Sequence, residues 1–140
     1  MTATENLARL GLTLPSVPAP VAAYVNCVRT GNLLFLSGGL PIDGEKKVIG
    51  QVPRDVSIEK AQEGARIIIL NRLAVIASEI GSIDRVTRIV ALNGFVSSAA
   101  DFYDHPKVIN GCSELFADVF GEEAGIGARS AVGMGPLPRS

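Results

Sequence analysis

Apolar residues recur through residues 57–80 at positions 58, 61, 65, 68, 69, 73, 76 and 80. That three-to-four-residue spacing lays one stripe of a helix against a core. Ser57 precedes the stripe and Glu59 falls in its first turn, where a hydroxyl caps free N–H groups and the helix dipole favours an acid. Gly81 follows at the expected C-terminal position, so the pattern predicts a long helix with both ends marked. Ile67 and Leu70 widen the stripe towards a second apolar surface. A second helix is predicted from Pro106 to about residue 120, with Val108, Ile109, Cys112, Leu115, Phe116, Val119 and Phe120 apolar; proline suits a first helical turn.

Elsewhere the period shortens. YVNCVRT and LLFLSG flank Gly31 and Asn32, a hairpin signal because glycine supplies the positive φ of a type II′ turn. The second run ends in Ser37-Gly38-Gly39, a hydroxyl beside backbone that another group can approach closely. A loop follows, PIDGEKKVIGQVPRD, turning at Asp43 and Gly44. Residues 85–97, RVTRIVALNGFVS, predict a strand, residues 101–104 a polar turn, residues 121–127 a loop and RSAVGM a last short strand. Ahead of all this, TENLARLGL predicts a short amphipathic helix ending near Gly11, and Pro15, Pro18 and Pro20 hold the next segment extended. The order of hairpin, helix, strand, helix and strand predicts an α+β fold, a mixed sheet with two helices packed on one face.

Composition sharpens this picture. A chain of 140 residues makes one domain. Hydrophobic residues make up 47%, charged residues only 19%, and the mean hydropathy is +0.32. Such a chain has more apolar surface than it can bury alone, which predicts an oligomer. The net charge of −1 gives no basic stripe for nucleic acid. Cys27 and Cys112 have no metal-ligand spacing and are expected as reduced thiols. The N-terminus has an acid where a signal peptide needs bases, and Arg72 interrupts the most apolar run. The expectation is a soluble, cytoplasmic protein with no membrane contact.

Several stretches together resemble the Rid family, the reactive intermediate (imine) deaminases, also called the endoribonuclease L-PSP or UK114-type family. They are AAYVNCVRTGNLLFLSGGLPID, the helix after DVSIEKAQ, IDRVTRIVALNGFV, KVINGCSELF and ARSAVGMGPLP. The resemblance runs from about residue 17 to 138, leaving residues 1–20 as an N-terminal extension of a domain spanning 21–140. It implies a chorismate-mutase-like fold and a homotrimer with its sheets inside, its helices outside and three clefts between subunits.

The same resemblance implies hydrolytic deamination of 2-imino or enamine acids to 2-keto acids and ammonia, without cofactor or metal. In it, Arg129 matches an arginine that meets the substrate carboxylate, Tyr24 and Ser37 match cleft residues, and Asn110 matches a nearby helix asparagine. The expected catalytic residues are Arg129, Tyr24 and Ser37; the expected substrate-binding residues are Arg129, Ser37, Gly38, Asn110 and Ala131. A guanidinium is suited to the task, because its planar fork grips a carboxylate and stays charged. Plainer readings exist for each. Arg129 could pair with Glu122 or Glu123 across an interface, Tyr24 could pack at a hairpin edge, and Ser37-Gly38 could merely end a strand. Gly38, Gly39 and Gly111 more often serve backbone packing. His105 has the chemistry of a general base, but at a helix start it reads first as a solvated cap. Asp101 and Asp104 read as turn formers rather than metal ligands, and Cys112 as core.

Two departures from the family pattern stand out. Ala131 replaces a cysteine present in many active members. The glutamate that those members carry on a strand beyond the LP pair has no counterpart before Ser140, so the domain is expected to lack its final strand. These departures keep a non-catalytic binder of small carboxylates or keto acids as the alternative. An endoribonuclease, the activity in the family's older name, is disfavoured by the absence of a basic track or aromatic platform.

Overall fold

The helices form where their apolar stripes predict them. The computed structural model describes residues 1–138. Helix α1 spans Ala3–Arg9 and is capped by Thr2, whose hydroxyl accepts from the Glu5 N–H. Helix α2 spans Ile58–Ile80, with Ser57 accepting from the Lys60 N–H at 3.1 Å and Gly81 ending it at φ 92°. Helix α3 spans His105–Phe120, starting one residue before Pro106.

The predicted hairpin is also present. Strand β1, Cys27–Thr30, pairs antiparallel with β2, Leu33–Leu36, across Gly31 at φ 54°. Strands β3 (Ile42–Asp43) and β4 (Lys46–Lys47) make a second small hairpin around Gly44. Strand β5, Ala91–Ser97, pairs with β6, Ala128–Met134, in parallel register from Ala91↔Ala128 to Ser97↔Met134. A parallel pair needs a crossover connection, and α3 supplies it.

Three expectations need correction. The strand predicted for residues 85–97 begins only at Ala91. Ser82 caps a 3-10 turn at Ile83–Arg85 instead, accepting from the Asp84 N–H, a local bond that competes with strand pairing. The loop predicted for residues 121–127 contains a helical turn, α4, at Glu122–Gly125, with both acids in its first turn. Finally, parallel and antiparallel pairs both occur, but among the described residues the strands form three two-stranded ladders and not one hydrogen-bonded sheet.

The core lies between these ladders and α2 and α3, with Leu73 and Val119 fully enclosed. Helix α1 belongs to it through Ala3 and Leu7, and Asn6 Nδ2 donates to the Val119 carbonyl at 2.8 Å. Helices α2 and α3 approach closely at Gly111, where a Cβ would stand 2.7 Å from the Gln62 carbonyl oxygen. The outward faces of the two longer ladders remain uncovered. The cross-strand pair Val28 and Phe35 is 55% and 60% exposed, and the pair Phe95 and Val132 is 55% and 42% exposed. Among the described residues no helix is long and apolar enough to cross a membrane.

Candidate active site

Strand alternation decides what β6 presents to α3. Arg129, Ala131 and Gly133 share one face. Arg129 bonds α3, Ala131 packs against the core, and a Cβ on Gly133 would overlap His105. Arg129 Nη1 donates to Asn110 Oδ1 at 2.8 Å and to Ser113 Oγ at 3.1 Å, while Nη2 donates to the Pro106 carbonyl at 3.3 Å. The three acceptors are four and three residues apart, so they form one stripe of the helix.

All three acceptors are neutral. Among the described residues Arg129 makes no ion pair, and within the chain neither Glu122 nor Glu123 pairs with it. A guanidinium carries five donors; Nε–H and one N–H on Nη2 find no acceptor among the described residues. The side chain is therefore oriented by protein, with its charge unmatched. It borders an open depression of about 380 Å³ that Asn110, Ser113, Glu114 and Glu122 also line. Below the site, burial pushes the Cys112 thiol up to about 12, and its Sγ donates to the Ala65 carbonyl at 3.6 Å. That thiol is core and unreactive, as expected.

Tyr24, Ser37 and Gly38 lie in a second group. The Ser37 hydroxyl donates to the Val25 carbonyl at 2.6 Å, and the Tyr24 hydroxyl accepts from the Val21 N–H at 3.3 Å. Nothing crowds a Cβ at Gly38, whereas one at Gly39 would meet Ile68 and Arg72. Only Gly39 and Gly111 of the three glycines therefore sit at close approaches. Among the described residues no hydrogen bond joins this group to Arg129. Of the expected site residues, one chain brings together Arg129, Asn110 and Ala131, and keeps Tyr24, Ser37 and Gly38 apart from them.

Ser113 and the Pro106 carbonyl escaped sequence reasoning, although their helical spacing from Asn110 carried the signal. Arg72 also escaped it. This side chain is 9% exposed, its Nη1 donates to the Ser37 carbonyl at 2.9 Å, and its Nε has no partner. Burial holds its pKa below the usual value. A charge inside the apolar stripe of α2 was the available clue. His105 is not a solvated cap: it is half-buried, its Nε2 lies 3.0 Å from Oγ of buried Ser98, and the Phe102 ring packs edge-on at 5.3 Å. Asp104 makes no side-chain cap bond. Among the described residues, no group of three or more potential metal ligands of the His, Cys, Asp and Glu types occurs.

Comparison with known proteins gives the wider setting. The family model described as "YjgF/chorismate mutase-like, putative endoribonuclease" matches residues 4–137. Protein TCP17 of Trypanosoma cruzi is 41% identical over 134 residues, 95% of this chain and 84% of that protein. Among solved structures, Atu1372 of Agrobacterium tumefaciens, described as of unknown function, is 41% identical with a TM-score of 0.87, over 98% of this chain and 83% of the other. A structure from Shewanella oneidensis, described as an endoribonuclease of that unproven kind, is 29% identical with a TM-score of 0.93, over 99% and 91% of the two chains. With its residues 4–137 matched by the family model, this chain belongs to the Rid/YjgF family, also called the endoribonuclease L-PSP or UK114-type family.

Proposed function

We propose that this protein deaminates reactive 2-imino or enamine acids to 2-keto acids and ammonia, in clefts between the subunits of a homotrimer. The observation that carries the reading is the state of Arg129: held by three neutral acceptors, with no ion pair to an acid among the described residues and two donors unused. Those donors are suited to a substrate carboxylate. Gripping it holds the adjacent C=N carbon in one place relative to an attacking water, which is a positioning effect. Water adds to that carbon to give a carbinolamine, which loses ammonia and leaves the ketone. No electron leaves or enters, so the reaction needs no redox cofactor.

Ser37 and Tyr24 join this site from a neighbouring subunit. Ser37 has spent its proton on the Val25 carbonyl and offers lone pairs, while Tyr24 keeps its phenolic proton to donate. The uncovered pairs Val28 with Phe35 and Phe95 with Val132 supply apolar surface for the subunit contacts. The test adds the full chain to an amino-acid oxidase or threonine dehydratase reaction. Ammonia and keto acid release should accelerate, and Arg129→Ala should abolish the effect. Failure on several imino acids, under conditions where a known deaminase works, would remove the reading.

One observation favours a second reading. Ala131 has only a methyl where many active members carry a thiol, and every protein acceptor of Arg129 is neutral. A keto-acid binder without turnover needs nothing more. Saturable keto-acid binding lost in Arg129→Ala, with no turnover in the wild type, would establish it. An RNA-directed activity has least support, since a net charge of −1 supplies little counterion release.

A further inference from the structure

We propose that His105 is the proton-transfer group of the Arg129 site, held in its working orientation by Ser98. The proposal rests on the deaminase reading and supplies the proton-transfer role that that reading leaves unassigned. His105 is the chain's single histidine. It opens α3, and the residue after it, Pro106, gives its carbonyl to Arg129 Nη2 at 3.3 Å. Guanidinium and imidazole therefore flank the same first turn of α3.

The facing strand carries the same juxtaposition. Arg129, Ala131 and Gly133 follow one another along one face of β6. Arg129 covers the turn of Asn110, and Gly133 lies against the imidazole so closely that a Cβ there would overlap both His105 Nε2 and Ser98 Oγ. The position between them carries only the Ala131 methyl. No large side chain of this face separates the two groups.

Ser98 fixes the orientation of the ring, and its hydroxyl serves either tautomer. Its hydroxyl is buried at 8% exposure, 3.0 Å from His105 Nε2. When Nε2–H donates to Ser98 Oγ, Nδ1 keeps a lone pair, and among the described residues Nδ1 has no partner. In the addition step, Nδ1 takes one proton from water as the oxygen bonds to the C=N carbon, and the imine nitrogen takes a proton from solvent. In the collapse step, His105 returns a proton to the amine as the C–N bond breaks, and the carbinol O–H loses its proton to form the ketone. Atoms and charge balance without an oxidant or reductant. Asp101 and Asp104 precede the ring in the chain and Lys107 follows it on α3, Arg129 bonds the carbonyl of the next residue, and Ser98 follows the end of β5.

The experiment compares kcat, KM and pH profile for wild type, His105→Gln and Ser98→Ala in the coupled imine assay, with keto-acid binding measured calorimetrically. A general acid–base group contributes about 100-fold or more, so His105→Gln should lower kcat by that order. It should also erase the acid limb of the profile, with KM and keto-acid affinity nearly unchanged. Ser98→Ala should lower kcat less and shift the acid limb. A His105→Gln protein that keeps its kcat and acid limb overturns the proposal while leaving the deaminase reading intact. If His105→Gln does not fold, an unaltered profile in folded Ser98→Ala overturns it. Absence of turnover in the wild type overturns both readings.

Discussion

Asn110 Oδ1, on α3, accepts from Arg129 Nη1, on β6, at 2.8 Å, joining residues 19 positions apart in the chain. Asparagine has little to recommend it inside a helix, so its use here is to aim the guanidinium. A hydrogen bond to a charged group contributes about 1.5–3 kcal/mol. Asn110→Ala should therefore weaken keto-acid binding by about tenfold or more. Calorimetric titration checks this, and an unchanged affinity would show that Ser113 and Pro106 suffice.

Arg72 should cost stability and serve position. It is 9% exposed with one bond, to the Ser37 carbonyl, and an unpartnered Nε. A buried charge without an ion-pair partner is expensive, and an apolar side chain of similar length removes that expense. Arg72→Met should be within about 1 kcal/mol of wild-type stability or above it in denaturant unfolding. The same variant should lower deaminase activity, because Ser37 loses the donor that holds its carbonyl. A loss above about 3 kcal/mol, the range for breaking a partnered buried charge, would contradict this account.

Gly111 sets the separation of α2 and α3. A methyl there would meet the Gln62 carbonyl at 2.7 Å and Ala65 Cβ at 3.1 Å, and backbone cannot swing aside as a side-chain tip can. Gly111→Ala should destabilise by about 1–3 kcal/mol, as overpacking does. Because α3 carries Asn110 and Ser113, the variant should also weaken keto-acid binding. Chemical denaturation and calorimetry read the two effects separately.

Asp84 makes the docking of α1 sensitive to acid. The Thr4 N–H first, and then its hydroxyl, hold the Asp84 carboxyl below its ordinary value, each at 2.8 Å. A carboxyl whose folded pKa is lowered stabilises the fold fully above the unfolded value, about 4. That contribution disappears as pH falls through the folded value. Amides of α1 should therefore exchange faster, relative to α2, at pH 3 than at pH 6. Asp84→Asn should show the faster relative exchange at both pH values, and equal protection of variant and wild type at pH 6 would refute the assignment.

Much of the architecture was readable one element at a time. The apolar stripe of 57–80 and the marks at Ser57 and Gly81 specify α2, because helix periodicity and caps depend on neighbours along the chain. Gly31 specifies the first hairpin for the same reason. The errors fell where a local bond competes with a pattern. Residues 85–97 look like a strand, yet Ser82 captures the Asp84 N–H and starts a 3-10 turn.

The sequence by itself determined α1, α2 and α3, the first hairpin, the family resemblance and the candidacy of Arg129 and Asn110. Only the tertiary structure decided what those side chains touch. Arg129 meets Asn110, Ser113 and Pro106 because β6 runs alongside α3. His105 meets Ser98 because β5 ends beside the start of α3, seven residues later in the chain. Periodicity fixes the face of an element, but it carries no information about which element will cross that face. That crossing is set by the packing of α2, α3 and the ladders around Leu73 and Val119, and it left Arg129 oriented by neutral partners with donors still unused.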